Sequence, residues 1–208
     1  MYFSPLMSPV RIAVFASHRG SNFQALHTAL ASMTEPPARV VLCLSNNLHP
    51  GAFEYAAANG IETLRLSPTA YSDPMRYDAD LFDALRSREI DMVVLAGYMR
   101  RLPELVVNAW QGRVLNVHPA LLPKFGGQGM YGMRVHQAVI DAGETESGAT
   151  VHVVDADYDT GPIVAQERVP VRSDDTPETL AARVLQAEHR LLPRVVIEMA
   201  EGMLKNEE

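Results

Sequence analysis

A chain of 208 residues, 47% apolar and 21% charged, is long enough for one well-cored α/β domain and has the make-up of an ordinary globular protein. Its formal charge of -7 argues against general binding to nucleic acid or anionic membranes, while leaving room for a local basic pocket. The single cysteine, Cys43, excludes an internal disulfide and any multi-cysteine zinc site, and its place inside "VVLCLS" marks a buried structural thiol.

The opening "MYFSPLMSPV" is too short and too proline-broken for a signal peptide or a spanning helix. It reads as a flexible extension over residues 1–9, and the expected compartment is the cytoplasm. "VRIAVFAS" is a short apolar run, as expected of a strand buried on both faces, and "HRGSN" turns it into the helical pattern "FQALHTALASM". "RVVLCLSNN" is a second buried strand, "PGAFEYAAANG" a short helix closed by Gly60, and "IETLRL" a third strand. "DPMRYDADLFDALRSRE" is a helix with Asp73 as N-cap and Pro74 at its first position. "DMVVLAGY" is a fourth strand, so the first half reads as right-handed βαβ units in a mostly parallel sheet.

The second half changes character. "RVLNVH" is a fifth strand and "GMRVHQAVIDAG" a helix closed by Gly143. "SGATVHVVD" and "PIVAQERVPV" form a strand pair around the turn "ADYDTG". A long terminal helix starts near Asp175 or Thr176, with Pro177 in its first turn, and Pro193 is expected to kink or interrupt it. No repeat, low-complexity tract or long linker is visible, which predicts a single domain.

Three constellations carry chemistry. "RGSN" sets a glycine, a hydroxyl and an amide at a helix start, where free N–H groups favour an anion; the plainer role for Ser21 or Asn22 is a helix cap. The pattern is neither G-x-G-x-x-G nor a Walker A motif, so a monophosphate suits it better than a dinucleotide or triphosphate. In "LNVHP", Asn116 and His118 share one face of a strand that Pro119 ends. Together they suit polarisation of a carbonyl and transfer of a proton, or else form a hydrogen-bonded core pair. "DADYDTGP" places three carboxylates in a glycine-closed loop, either a solvated turn or a partner for the His118 imidazole. His118, His136, His152 and Asp159 lack a metal-ligand spacing, and no metal is expected.

These pieces, in this order, resemble the glycinamide ribonucleotide formyltransferase family. The motifs are "GSNFQAL", "VVLAGYMRRL", "LNVHPALLPK", "GATVHVVDADYDTGPIVAQ" and "AEH", spread over about residues 10–190. The resemblance implies a Rossmann-like α/β fold: a mostly parallel twisted sheet flanked by helices, with an antiparallel portion in the C-terminal half. It implies a nucleotide-binding half over about 10–97 and a folate-binding, catalytic half over about 98–208. Asn116, His118 and Asp159 fall on the family's catalytic positions, and Gly20, Ser21 and Asn22 on its phosphate loop. Glu188 matches an acid that contacts the glycinamide substrate. Met99, Arg100, Arg101 and Leu102 match the lining of the pterin pocket, which the loop Asp155, Ala156, Asp157, Tyr158 and Asp159 would close.

The implied reaction carries the formyl group of 10-formyltetrahydrofolate, a consumed co-substrate, to the amine of 5′-phosphoribosylglycinamide, without a metal. Asn116 and a protonated His118 would stabilise the oxyanion, and Asp159 would keep His118 charged and move a proton through a bound water. Small molecules are the expected partners, with no nucleic acid and no membrane, for a monomer or homodimer.

Departures from the family pattern are local. His18 stands where relatives often have a glycine, which strains the turn if that position needs positive φ. An early arginine of the third helix aligns with Pro74; Arg76 lies two residues away, and the folate contact is not assigned to it. The loop "FGGQGMYGM" is longer than in some relatives, and its composition predicts a mobile flap over residues 126–133. Competing activities fit less well. A formyltetrahydrofolate hydrolase usually carries a regulatory domain, and transfer to methionyl-tRNA calls for a nucleic-acid-binding domain. An amino-sugar acceptor and a non-catalytic nucleotide or folate binder complete the alternatives.

Overall fold

Short apolar runs bounded by turn residues become the strands of one seven-stranded sheet in the computed structural model, which describes residues 8–205. The expected N-terminal extension therefore falls largely outside the described residues. In chain order the elements are β1 (Val10–Phe15), α1 (Ser21–Ala31), β2 (Ala38–Ser45), α2 (Gly51–Ala58), β3 (Glu62–Arg65), α3 (Pro74–Arg86) and β4 (Met92–Leu95). Then follow α4 (Glu104–Ala109), β5 (Val114–His118), α5 (Met133–Asp141), β6 (Glu146–Val153), β7 (Ile163–Pro170) and α6 (Pro177–Lys205). The spatial order is β3-β2-β1-β4-β5-β6-β7. The first five strands pair in parallel, and β6 and β7 join antiparallel.

The two faces of the sheet are covered by different helices. One layer packs Phe23, Leu26 and Leu30 of α1 with Val184, Leu191 and Val195 of α6, joined by α2 and α5. The other packs Tyr77, Leu81 and Leu85 of α3 with Val106 of α4 and Trp110 just beyond it. Each fully buried leucine contributes about 1.5–3 kcal/mol, so β1, β2 and β4 are clamped from both sides. Cys43 lies inside β2, paired with Val14 of β1 and Thr63 of β3, and is fully buried.

Local signals set the helix starts. Asp73 caps α3 by accepting from the Met75 amide at 2.9 Å, with Pro74 first in the helix. Ahead of α6, Thr176 and Thr179 exchange backbone-to-hydroxyl bonds, 2.9 Å and 3.3 Å. Two features differ from the sequence reading. The six residues of α4 were too few to show a periodicity, yet the parallel β4-to-β5 crossover runs through them. Pro193 does not interrupt α6, which continues from Pro177 to Lys205. Leu191, Leu192, Val195 and Val196 are buried around the proline, and that packing outweighs the missing backbone donor.

The strand order reverses between β1 and β4, and open α/β sheets bind ligands in the crevice outside that switch point. Gly20, at the turn into α1, has φ 71°, and an added Cβ there would lie 2.8 Å from the Ala52 Cβ. Gly20 is thus where this turn needs a glycine. His18 is exposed and is not among the residues with positive φ, so the strain anticipated for it does not arise.

Candidate active site

Strand β5 ends on Asn116 and His118, both beside a cavity of about 710 Å³. The antiparallel register sets His152 of β6 opposite Asn116 and Thr150 opposite His118. Thr150 fastens the turn that follows β5: its hydroxyl donates to the Ala120 carbonyl at 2.6 Å and accepts from the Leu122 amide at 3.1 Å. Gln166 of β7 donates to the Leu122 carbonyl at 2.9 Å. The "ALLP" segment is thereby tied to two neighbouring strands.

Asp159 reaches into this corner from the β6–β7 loop. One carboxylate oxygen lies 3.4 Å from His118 Nδ1 and accepts from the Gly127 amide at 3.0 Å. The other accepts from Asn116 Nδ2 at 3.4 Å and lies 3.5 Å from His152 Nε2. His118 Nε2 donates to the Phe125 carbonyl at 2.8 Å, which leaves Nδ1 facing the carboxylate. His152 Nδ1 donates to the Val153 carbonyl at 3.0 Å, so its Nε2 accepts from Asn116 Nδ2 at 3.1 Å. That bond orients the Asn116 amide with its NH₂ group toward the carboxylate. Both Asp159 (φ 58°) and Phe125 (φ 57°) have left-handed backbones, uncommon for residues other than glycine; among the described residues the other such case is Glu89 (φ 51°), away from this corner. Gly126 is pressed between them; a Cβ there would meet Leu122 Cδ2 at 2.5 Å and Asp159 Cβ at 3.2 Å.

Burial dominates the electrostatics of His118, which is 4% exposed. Desolvation pushes its pKa below 6.5, against the upward pull of Asp159 and the Phe125 carbonyl. Asp159 thus pulls toward the charged imidazole, as expected, but burial outweighs that pull and the net shift is downward. Burial also pushes Asp159 upward, but His152, His118 and the Gly127 amide together hold its carboxyl below the ordinary value.

The remaining cavity wall gathers most of the other expected residues. Asn22 donates to Glu188 at 2.7 Å, tying the start of α1 to α6 inside the cavity. Glu188 is buried, and desolvation pushes its pKa up to about 7 against the Asn22 bond. Met99, Arg100, Arg101 and Leu102 line the cavity, as do Asp155, Asp157 and Tyr158. Asp155 also organises its own loop, accepting from Thr160 Oγ1 at 2.8 Å and from the Asp157 amide at 3.3 Å. Three expected residues stand outside the cavity wall. Gly20 shapes the turn, Ser21 faces a shallow groove with Gln24 and His189, and Ala156 is exposed at the loop tip.

Sequence reasoning missed the positioning role of His152, the Phe125 carbonyl, the Gly127 amide and the cavity-lining His136. The histidines were visible as residues, but strand register and loop path place them.

A second cavity of about 880 Å³ opens at the β1/β4 crevice and shares Met99–Leu102 and Tyr158 with the first. Ser17 Oγ donates to Asn46 at 3.0 Å and accepts from the Met99 amide at 3.1 Å, which fixes the shared wall. Arg76 is exposed, lies 3.8 Å from Asp80 and borders neither cavity.

The cavity volume is of the size that holds a cofactor-sized molecule, with apolar walls from Leu95, Val117 and Val154 and a few convergent polar groups. Among the described residues, no group of three or more His, Cys, Asp or Glu is arranged to hold a metal ion, and no helix is long and apolar enough to cross a membrane. An open α/β sheet carrying an amide, an imidazole and a carboxylate at one strand end defines a group-transfer site. The formyl transferase family model matches residues 10–196.

The phosphoribosylglycinamide formyltransferases of Arabidopsis thaliana and Vigna unguiculata, both named as chloroplastic, are each 45% identical to the chain. The alignments cover 94% and 92% of this chain but 67% and 61% of those proteins, so the chain spans about two thirds of their length. The crystal structure of phosphoribosylglycinamide formyltransferase from Brucella melitensis is 40% identical, with a TM-score of 0.85 over 93% of this chain and 96% of that one. The chain belongs to the formyl transferase family, in the branch of the phosphoribosylglycinamide formyltransferases.

Proposed function

We propose that the enzyme transfers the formyl group of 10-formyltetrahydrofolate to the amine of 5′-phosphoribosylglycinamide, giving the N-formyl product and tetrahydrofolate in purine biosynthesis. The observation that carries this reading is the convergence of Asn116, His118 and Asp159 on one corner of a cavity that Asn22 and Glu188 also enter. Asn116, held by His152, presents its amide to the formyl oxygen as negative charge develops there. His118 starts neutral, and its Nδ1 takes the proton that the attacking amine sheds. The imidazolium so formed is stabilised by the ionised Asp159 and the Phe125 carbonyl, and it returns the proton to the departing nitrogen.

The turn Gly20–Asn22 offers the α1 N-terminus to the phosphate, and Glu188 contacts the glycinamide portion. The folate co-substrate lies along Met99–Leu102 and under the loop Asp155–Asp159. The division of labour largely follows the chain within a single domain, with phosphate contacts from about 10–97, and folate and catalytic contacts together with Glu188 from about 98–208. Small molecules acting in the cytoplasm, on a monomer or homodimer, complete the proposal.

Conversion of 10-formyltetrahydrofolate to tetrahydrofolate, followed by absorbance with and without the amine, tests it. Turnover that requires the amine supports transfer. Turnover in water alone would make the enzyme a hydrolase, and binding without turnover would leave a binder.

A further inference from the structure

The proton transfer described above depends on which ring nitrogen of His118 carries the hydrogen. Nε2 donates to the Phe125 carbonyl at 2.8 Å, and that bond is what leaves Nδ1 free on the side of Asp159. Phe125 lies outside any strand or helix, in the turn between β5 and α5. Its carbonyl is aimed at His118 only as firmly as that turn is held.

Two side chains hold it, and neither lines either cavity. Thr150 of β6 is fully buried, and its hydroxyl uses its whole capacity of one donor and two acceptor sites. It donates to the Ala120 carbonyl at 2.6 Å and accepts from the Leu122 amide at 3.1 Å and from Gln166 Nε2 at 2.9 Å. The same Gln166 nitrogen donates to the Leu122 carbonyl at 2.9 Å, so both backbone groups of Leu122 are held from β6 and β7. A valine in place of Thr150 has nearly its shape but would leave the buried Ala120 carbonyl and Leu122 amide without a partner. Leu122 in turn packs on Gly126, which has no room for a Cβ between Leu122 and Asp159, and the next amide, Gly127, donates to Asp159 at 3.0 Å. A displaced Leu122 therefore disturbs both partners of His118. The ion pair of Lys124 with Glu144, 2.8 Å on the same turn, is exposed and of little weight.

We propose that Thr150 and Gln166 are positioning residues for the reaction: by fixing Leu122 they aim the Phe125 carbonyl at His118 Nε2 and keep Nδ1 open to the amine's proton. This rests on the transferase reading above. Acting through His118 from outside the cavity, the pair bears on turnover rather than on binding. The titratable groups facing His118 are Asp159 of the β6–β7 loop, His152 of β6 and His136 of α5. Glu188 of α6 lines the same cavity bonded to Asn22, and the neighbouring strand β4 is wholly apolar.

The test compares the wild type with Thr150→Val, Thr150→Ser and Gln166→Met, and with Lys124→Ala as a control that leaves turnover unchanged. Proton–nitrogen correlation spectra of the imidazole rings, assigned with His118→Gln, report which His118 nitrogen is protonated in the unliganded enzyme. The wild type is expected in the Nε2–H form. Thr150→Val is expected to mix in the Nδ1–H form and to lower kcat about 10- to 100-fold, with both KM values within a few-fold. It also moves the acid limb of kcat/KM to lower pH, because the upward pull of the Phe125 carbonyl on His118 weakens. Gln166→Met does the same to a smaller degree and carries the test if Thr150→Val fails to fold. Thr150→Ser keeps the hydroxyl and restores tautomer, kcat and pH limb. A wild type protonated at Nδ1, a Thr150→Val or Gln166→Met enzyme that keeps the pure Nε2–H form, or Thr150→Ser as damaged as Thr150→Val overturns the proposal. If the wild type formylates no amine, the transferase reading fails on its own; a tautomer shift in the variants still supports the positioning role, and its absence overturns it.

Discussion

The parallel half and the antiparallel end of the sheet handle polar groups in opposite ways. Around β1–β4 the buried strands are almost purely apolar, and the polar side chains Ser17, Asn46 and Asn47 sit at strand ends and bond one another. The demanding backbone conformation in the turn after β1 belongs to a glycine, Gly20. At the antiparallel end, three histidines are buried, and a phenylalanine and an aspartate take conformations that glycine would adopt more easily. Buried imidazoles and left-handed backbone thus gather around Asn116, His118 and Asp159, the corner where we propose that protons move, while the parallel half has one such non-glycine residue, Glu89. The contrast gives substitutions in the two halves different signatures.

The largest expected effect is that of Asp159→Asn, a fall in turnover of about 10²–10⁴-fold at nearly unchanged thermal stability. The variant also tests the electrostatics. His118 must be neutral to accept a proton, so kcat/KM rises with pH through a His118 pKa already below 6.5. Asp159 pulls that pKa up, and its removal should shift the acid limb of the residual activity to still lower pH. A limb that moves upward would sink the assignment.

Asn116→Ala should cost about 10²–10³-fold in kcat as an oxyanion donor is lost, measured under saturating acceptor. His152→Phe should cost less, about 10- to 100-fold, because the Asn116 amide remains but loses the partner that aims it. Equal damage from the two would mean that His152 does more than orient.

In the parallel half the signature reverses, and stability responds before turnover. Gly20→Ala adds a Cβ 2.8 Å from Ala52 in a left-handed conformation and should lower unfolding free energy by about 1–3 kcal/mol, with acceptor KM rising and kcat largely kept. An effect of similar size, seen only at high pH, concerns Glu188. Its folded pKa of about 7 lies above its ordinary value of 4.5, so its contribution to stability is full below pH 4.5 and is lost as pH rises through 7. Glu188→Gln should flatten that decline and raise stability at pH 8 by roughly 1–3 kcal/mol, read by urea unfolding at pH 5 and pH 8. An unchanged pH slope would mean that the carboxyl ionises freely in the folded chain.

The scaffold was the more legible of the two regions. Continuous apolar runs announced β1, β2 and β4, and capping residues announced α3 and α6, since these are local signals. Asn116 and His118 were readable as a pair because a strand's period of two puts them on one face. Their supports were not. His152 stands opposite Asn116 through an antiparallel register, and the Phe125 carbonyl reaches His118 only because the loop doubles back, neither being encoded in neighbouring residues. The net direction of the His118 pKa shift was hidden for a related reason. Asp159 was visible in the sequence, but the depth of burial that outweighs it depends on the whole fold. Pro193 shows the limit of local rules from the other side, since a proline expected to break a helix is carried through by the packing around it.

Cys43 gives the enzyme a built-in clock. Its thiol is fully buried between two parallel neighbours, and burial pushes its pKa up to about 12, so almost no thiolate meets a reagent in the native chain. A disulfide reagent such as Ellman's can react only when β2 parts from β1 or β3. The colour it releases, one equivalent per chain, therefore times the opening of the sheet's centre without any introduced label, and tight-binding substrates should slow it in proportion to how firmly they hold that sheet closed.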